Sequence, residues 1–172
     1  MRLFIAVDIP EELQNKCKEM QGKIAGRGIS LARSFHITLK FLGEVPEDKV
    51  GEIKERLSKI SFHQFEVKAV AVGFFPNIRK PRVIHIRCES DKLYELAKSV
   101  SLALPEFPND HEFVAHITLA RIRNKLTRQT LDKIISLKMG AHNFNVSLFE
   151  LKKSTFDASK VKYETLAEFR GT

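Results

Sequence analysis

The tetrapeptide His-Ile-Thr-Leu occurs twice in this chain, at His36–Leu39 and at His116–Leu119, 80 residues apart (116 − 36). Successive side chains of an extended strand point to opposite faces, so each copy offers an imidazole and a hydroxyl together and turns its two aliphatic side chains toward a core. Two such strands brought face to face hold two imidazoles, the side chain best suited to both accept and donate protons near neutrality. One neutral imidazole can take a proton from water or a ribose hydroxyl while the other, protonated, gives one to a leaving oxygen. The hydroxyls of Thr38 and Thr118 can bind non-bridging phosphate oxygens. The set suits in-line displacement at phosphorus, with His36 and His116 as catalysts. Arg121, five residues past His116 (121 − 116), supplies a cation for the phosphate, and Arg123 follows it.

Lesser candidates surround these. Arg33, Arg82 and Arg123 are candidate RNA contacts through phosphate, and Phe75 is one by stacking on a base. The plainer readings are solvated charge for the arginines and core packing for Phe74 and Phe75. Of the remaining histidines, His85 alternates with Val83 and Arg87 and can line a cleft, although a structural role is the readier reading. His63 and His142 lack any matching context, and His111 reads as part of a solvated Asp-His-Glu loop. Lys152 and Lys153 read as solvating a terminal strand, Gly43 as a turn residue and Gly73 as a strand end. Cys17 and Cys88, far apart and without a C-x-x-C pair, read as buried thiols. No cluster has metal-ligand spacing, so neither metal nor cofactor is expected.

Hydrophobic spacing gives the elements that must position these groups. A strand over 2–8 leads to a helix opened by Pro10, with Glu11 and Glu12 in its first turn and Leu13, Cys17, Met20 and Ile24 on its buried face. The first His strand covers 35–42, and a helix over 46–60 buries Val50, Ile53, Leu57 and Ile60. A strand over 64–74 follows. The order then repeats with a strand over 82–88 and a helix behind Ser90 burying Leu93, Leu96, Ala97, Val100 and Leu104. The second His strand covers 113–121, and a helix capped by Thr127 buries Leu131, Ile134 and Ile135. Strands over 144–153 and 161–169 close the chain.

The 80-residue offset also aligns Leu3 with Val83, Pro10 with Ser90, Leu13 with Leu93, Met20 with Val100 and Leu57 with Leu137. An offset that persists through strand and helix argues for internal duplication. The expected fold is α+β, one domain over 1–172 with lobe-level repeats at about 1–76 and 81–172. The two lobes are related by a pseudo-twofold, each an antiparallel sheet packed by two helices. The His strands meet at a central cleft, and FFPNIRKPR (74–82) connects the lobes at its mouth.

A net charge of +8 favours polyanionic partners such as RNA or nucleotides. No apolar run approaches the roughly 18–20 residues of a membrane span, so no membrane partner is expected. The opening MRLFIAVDIP soon meets Asp8, Glu11 and Glu12 and reads as a strand, not a signal peptide. A cytoplasmic monomer is the expectation.

The segments His36-Ile37-Thr38-Leu39-Lys40-Phe41-Leu42-Gly43-Glu44 and His116-Ile117-Thr118-Leu119-Ala120-Arg121 resemble the paired H-x-T motifs of the 2H phosphoesterases. Within that superfamily the chain resembles the RNA 2′,3′-cyclic phosphodiesterases, also called 2′-5′ RNA ligases. The likeness extends over Arg2–Ala6, Phe75-Pro76, Arg82-Val83 and the region of Ser154 and Tyr163. It implies a bilobal fold with a basic cleft and metal-independent opening of a 2′,3′-cyclic phosphate to a 2′-phosphate. His36, Thr38, His116 and Thr118 would be catalytic, and Arg121 would contact phosphate or RNA. RNA with 2′,3′-cyclic phosphate ends, tRNA fragments among them, would be the partner. His85 departs from the pattern, since relatives often carry an aromatic there. Two alternatives stand beside hydrolysis: a 2′-5′ RNA ligase acting on tRNA-like fragments, and a non-catalytic RNA- or nucleotide-binding module. Loss of a His or Thr would favour the module, and all four are present.

Overall fold

The computed structural model describes residues 1–157 and 160–172. In chain order the elements are β1 (Arg2–Asp8), α1 (Glu11–Ile24), β2 (Ile29–Leu31), β3 (His36–Glu44), α2 (Val50–Ser58), β4 (Phe65–Phe75), β5 (Val83–Glu89), α3 (Asp91–Ala103), β6 (His116–Ile122), α4 (Arg128–Ile135), β7 (His142–Val146), β8 (Leu148–Asp157) and β9 (Lys160–Arg170). The strands form one antiparallel sheet in the order β7-β4-β5-β6-β3-β1-β8-β9, with β2 on β6. The two His strands are therefore neighbours at its centre, as the repeat predicts.

The helices cross over to cover the sheet. The α1 helix, which follows β1, packs on β6 and on α4; α3, which follows β5, packs on β3 and on α2. Each half of the sheet thus carries two helices, supplied across the twofold. Ile37, Leu39, Ile117 and Leu119 enter one continuous core with Leu13, Met20, Leu93 and Val100 of the helices. Burial pushes both Cys17 and Cys88 up to about 12, so these buried thiols stay protonated and inert. Among the described residues, no helix is long and apolar enough to cross a membrane.

The halves of the sheet do not coincide with halves of the chain. β4 pairs with β5, and β8 pairs with β1, so one half is β3-β1-β8-β9 and the other β6-β5-β4-β7. Residues 76–82 thus close a connection between adjacent antiparallel strands and do not link lobes; the Arg82 amide donates to the Phe75 carbonyl at 2.7 Å. Neighbouring strands joined by a short connection pair most readily, which leaves the outer edge of β1 to the C-terminal strands. The single strand expected over 144–153 is two, β7 and β8, because the chain leaves one half for the other at Ser147. Burial changes phase there, from alternating Phe144 and Val146 to the consecutive Phe149, Glu150 and Leu151.

Smaller differences are local. The α2 helix is entered through a 3-10 turn at Glu47–Lys49 and ends at Ser58. Ser90 holds the N-cap position of α3 without a side-chain hydrogen bond, whereas Thr127 caps α4 by accepting from the Thr130 amide. Ile135, expected inside, is 46% exposed, since the eight-residue α4 turns only a narrow stripe inward. Gly43 has a φ of +71°, as expected for its turn.

Candidate active site

The seam between the His strands has Ile37 opposite Ile117. One step either way in this antiparallel register sets His36 opposite Thr118 and Thr38 opposite His116, all four on the face away from the core. Diagonal neighbours across such a pair lie roughly 7–8 Å apart. That is within the roughly 10 Å that two groups hydrogen-bonded to one phosphate can span. The two strands share one burial sequence over seven residues, with His and Thr half-buried and Ile and Leu buried. The imidazoles are near enough that charge on His116 disfavours charge on His36.

Both strands carry a bulge at the same place. On β1 the register jumps from Thr38 to Lys40, and on β5 it jumps from Thr118 to Ala120, so Leu39 and Leu119 are the extra residues. A bulge reverses the alternation of everything after it. Strict alternation from His116 would turn Arg121 away from the cleft; the bulge returns it to the face of His116 and Thr118, opposite Val83. Phe41 takes the twofold-related place on β3, opposite Phe4. Gln21 of α1 secures the bulge by donating to the Leu119 carbonyl at 2.9 Å and the Ala32 carbonyl at 2.7 Å.

A model of LigT-like phosphoesterases matches residues 7–85. An RNA 2′,3′-cyclic phosphodiesterase of Archaeoglobus fulgidus is 36% identical, with 98% of this chain and 99% of that relative covered. The chain belongs to the LigT-like phosphoesterases of the 2H superfamily. An RNA 2′,3′-cyclic phosphodiesterase of Methanocaldococcus jannaschii is 32% identical, covering 98% of this chain and 100% of that one. A solved structure from Thermus thermophilus, 30% identical, superposes with a TM-score of 0.84 over 99% of this chain and 97% of that one.

This LigT-like site is symmetric in its motifs and asymmetric around them. Asp8 lies opposite His36, while Arg87 lies opposite His116. Lys152 and Phe75 hold related places, opposite Phe4 and Val83. Around His36 stand Phe4, with ring centroids 5.1 Å apart, and Tyr163 edge-on at 5.5 Å. Around His116 stand Phe75 edge-on at 4.7 Å and His85 at 5.4 Å. His85 is 4% exposed and lies parallel to Phe75 at 4.0 Å. Gly73 makes room for it: a Cβ there would sit 2.6 Å from His85 Cε1. Gly73 is therefore the floor beneath an imidazole, within β4, and not a strand end.

Sequence reasoning brought His36, Thr38, His116, Thr118, Phe75 and Arg121 to this face. Arg33, Arg82 and Arg123 lie exposed at or beyond strand ends, without a side-chain hydrogen bond to the four motif residues. It missed Asp8, Glu150 and Lys152. Lys152 is buried, 2.8 Å from Asp8 Oδ2 and 3.0 Å from Glu150 Oε2, and its ammonium donates to Thr165 Oγ1 at 3.3 Å. Burial works to neutralise it, but the two carboxylates outweigh that and raise its pKa, so it stays charged. Burial raises the pKa of Glu150, and the nearby Asp8 adds to this, because one ammonium is shared between two acids. The signal for this network was a polar alternation, Glu150, Lys152 and Ser154, in a strand whose Phe149 and Leu151 face inward.

The protonation of the site follows from burial. His36 is pushed down to about 4 chiefly by burial, with Asp8 opposing and Lys152 and His116 assisting. His116 is also lowered by burial, opposed by its bond to Val114. Its Nδ1 lies 2.7 Å from the Val114 carbonyl; a carbonyl only accepts, so Nδ1 carries the proton and Nε2 of the neutral ring is a free acceptor. A bound phosphodiester anion must raise both imidazoles. The bell-shaped profile of kcat/KM, which reports the free enzyme, is therefore expected to lie at lower pH than that of kcat, which reports the complex. Steady-state rates from pH 4 to 9 check this; coincident bells would contradict it.

Proposed function

We propose that the chain hydrolyses 2′,3′-cyclic phosphate ends of RNA to 2′-phosphate ends, with His116 as general base and His36 as general acid. The observation that carries this is the seam register, which puts two His-Thr pairs on one face across a single strand pairing. Water attacks phosphorus in line with the 3′ oxygen. As the new P–O bond forms, the water proton passes to Nε2 of His116. As the P–O3′ bond breaks, His36 protonates the departing 3′ oxygen, and exchange with solvent restores both imidazoles. Thr38, Thr118 and Arg121 hold the non-bridging oxygens, whose charge must be stabilised through the transition state.

The assignment of roles draws on the asymmetry. Asp8 opposite His36 favours its protonated form, whereas Arg121 on the side of His116 favours a neutral base. The proton transfers need no metal, and RNA ends, tRNA fragments among them, are the substrate of a monomeric cytoplasmic enzyme. Ligation to a 2′-5′ bond is the same chemistry with a ribose 5′ hydroxyl as nucleophile, and water is the more abundant one. The test is incubation with a 2′,3′-cyclic nucleotide in excess chelator, with the product isomer identified by chromatography. Full activity and a 2′-phosphate are expected. A 3′-phosphate product, or loss of activity restored by a divalent ion, would contradict the proposal.

A further inference from the structure

A groove of about 470 Å³ lies away from the His-Thr face, between the C-terminal end of α1 and the segment that leads from β6 into α4. Lys23, Arg27, Lys125 and Lys133 line it, with the hydroxyls of Thr127 and Thr130 and no carboxylate. Lys23 pairs with Glu19 of its own helix, outside the groove, at 3.2 Å. Arg27, Lys125 and Lys133 form no ion pair with a described residue. Converging unpaired cations repel one another and cost stability, so their persistence in a groove calls for an anion.

The fold supplies its own control. The twofold-related junction, between α3 and the segment that leads from β3 into α2, is closed by the protein's own charges. Arg56 there meets Glu106 at 2.8 Å and Glu52 at 2.6 Å, and it donates to the Ala103 carbonyl at 3.4 Å. At the 80-residue offset, Glu44, Glu47 and Asp48 of that junction correspond to Asn124, Thr127 and Arg128. One copy of the repeat neutralises the junction internally; in the other, Ser136 stands at the place of Arg56, and Asp132, at the place of Glu52, pairs with Arg128 at 3.9 Å outside the groove lining, so the groove cations have no carboxylate among them.

Position identifies the anion. The groove begins where β6 ends, and β6 carries His116 at one end and Arg121 near the other. Six residues from His116 to Ile122 span about 20 Å at roughly 3.3 Å each. A stacked strand advances about 3.4 Å per nucleotide, so the distance corresponds to about six nucleotides. We propose that this groove binds the sugar–phosphate backbone of the substrate RNA on the 5′ side of its cyclic end, about six nucleotides from the scissile phosphate. This rests on the reading that the substrate is RNA.

The test compares the wild type with Arg27→Glu/Lys125→Glu/Lys133→Glu on a cyclic mononucleotide and on 12-nucleotide RNA ending in a 2′,3′-cyclic phosphate. The triple variant is expected to match the wild type on the mononucleotide. On the 12-mer its KM should rise at least tenfold, and the slope of log KM against log salt should fall by about 2, three lost phosphate contacts at about 0.7 each. An unchanged KM on the 12-mer, or an equal loss on both substrates, overturns the groove. Fluorescence anisotropy with a 12-mer ending in a 3′ hydroxyl separates the two readings. If the wild type turns over neither substrate, the hydrolytic reading fails, while weaker binding by the variant still supports the groove and unchanged binding overturns it.

Discussion

His36→Ala and His116→Ala are each expected to lower kcat by about 10²–10⁴-fold, the usual contribution of one positioned proton carrier. Neither should unfold the protein, because both rings lie on the face away from the core and are only half-buried. For His36 the effect on stability even has a definite sign. Its folded pKa of about 4 lies below the ordinary value of 6.5. The stability tied to keeping it neutral is present above pH 6.5 and is lost as pH falls through about 4. His36→Ala should therefore flatten the acid limb of a urea-midpoint profile. Thr38→Ala and Thr118→Ala should cost about ten- to hundredfold in rate, the worth of one hydrogen bond to a charged oxygen. Stopped assays of 2′,3′-cyclic nucleotide hydrolysis measure all four variants. A protein lacking both histidines that worked at the wild-type rate would end the account.

The second large effect separates the two imidazoles. A 2′,3′-cyclic substrate whose 3′ bridging oxygen is replaced by sulfur expels a thiolate, which needs no proton to depart. On that substrate His36→Ala is expected to recover most of its lost rate, while His116→Ala stays inactive because water still needs a base. The opposite pattern would exchange the roles. The expectation rests on surroundings and not on the motifs, since the HITL copies are identical. Asp8 and the buried Lys152 flank one ring, and Arg87, Phe75 and a carbonyl-anchored Nδ1 set the other.

The pair of His-Ile-Thr-Leu strands, their central position and the side to which His and Thr point were legible, because a repeated tetrapeptide and a period of two depend only on local sequence. Partner choice was not. Nothing local in Phe65–Phe75 says that it pairs with β5, or in Leu148–Asp157 that it pairs with β1. The bulges were hidden for the same reason, being properties of a ladder and not of a strand. The 80-residue register is also not uniform: Phe4 faces Phe41 as Val83 faces Arg121, so β1 and β5 correspond at 79 (83 − 4) on both sides of the shared bulge, and Leu3 does not match Val83. That single step decides that Asp8 corresponds to Arg87. His85 was undervalued because the space it needs comes from Gly73, 12 residues earlier (85 − 73), on another strand. Lys152 was read as solvated because its partners, Asp8 and Thr165, are remote in sequence.

One phosphorus is expected to sit between the two His-Thr pairs. A crystal structure with adenosine 2′-phosphate tests it most directly. Phosphate oxygens are expected within about 3 Å of Nε2 of both His36 and His116 and of the hydroxyls of Thr38 and Thr118. The Arg121 guanidinium is expected to turn toward the same group. A phosphate held by one imidazole alone, or bound away from the seam between β3 and β6, would contradict it.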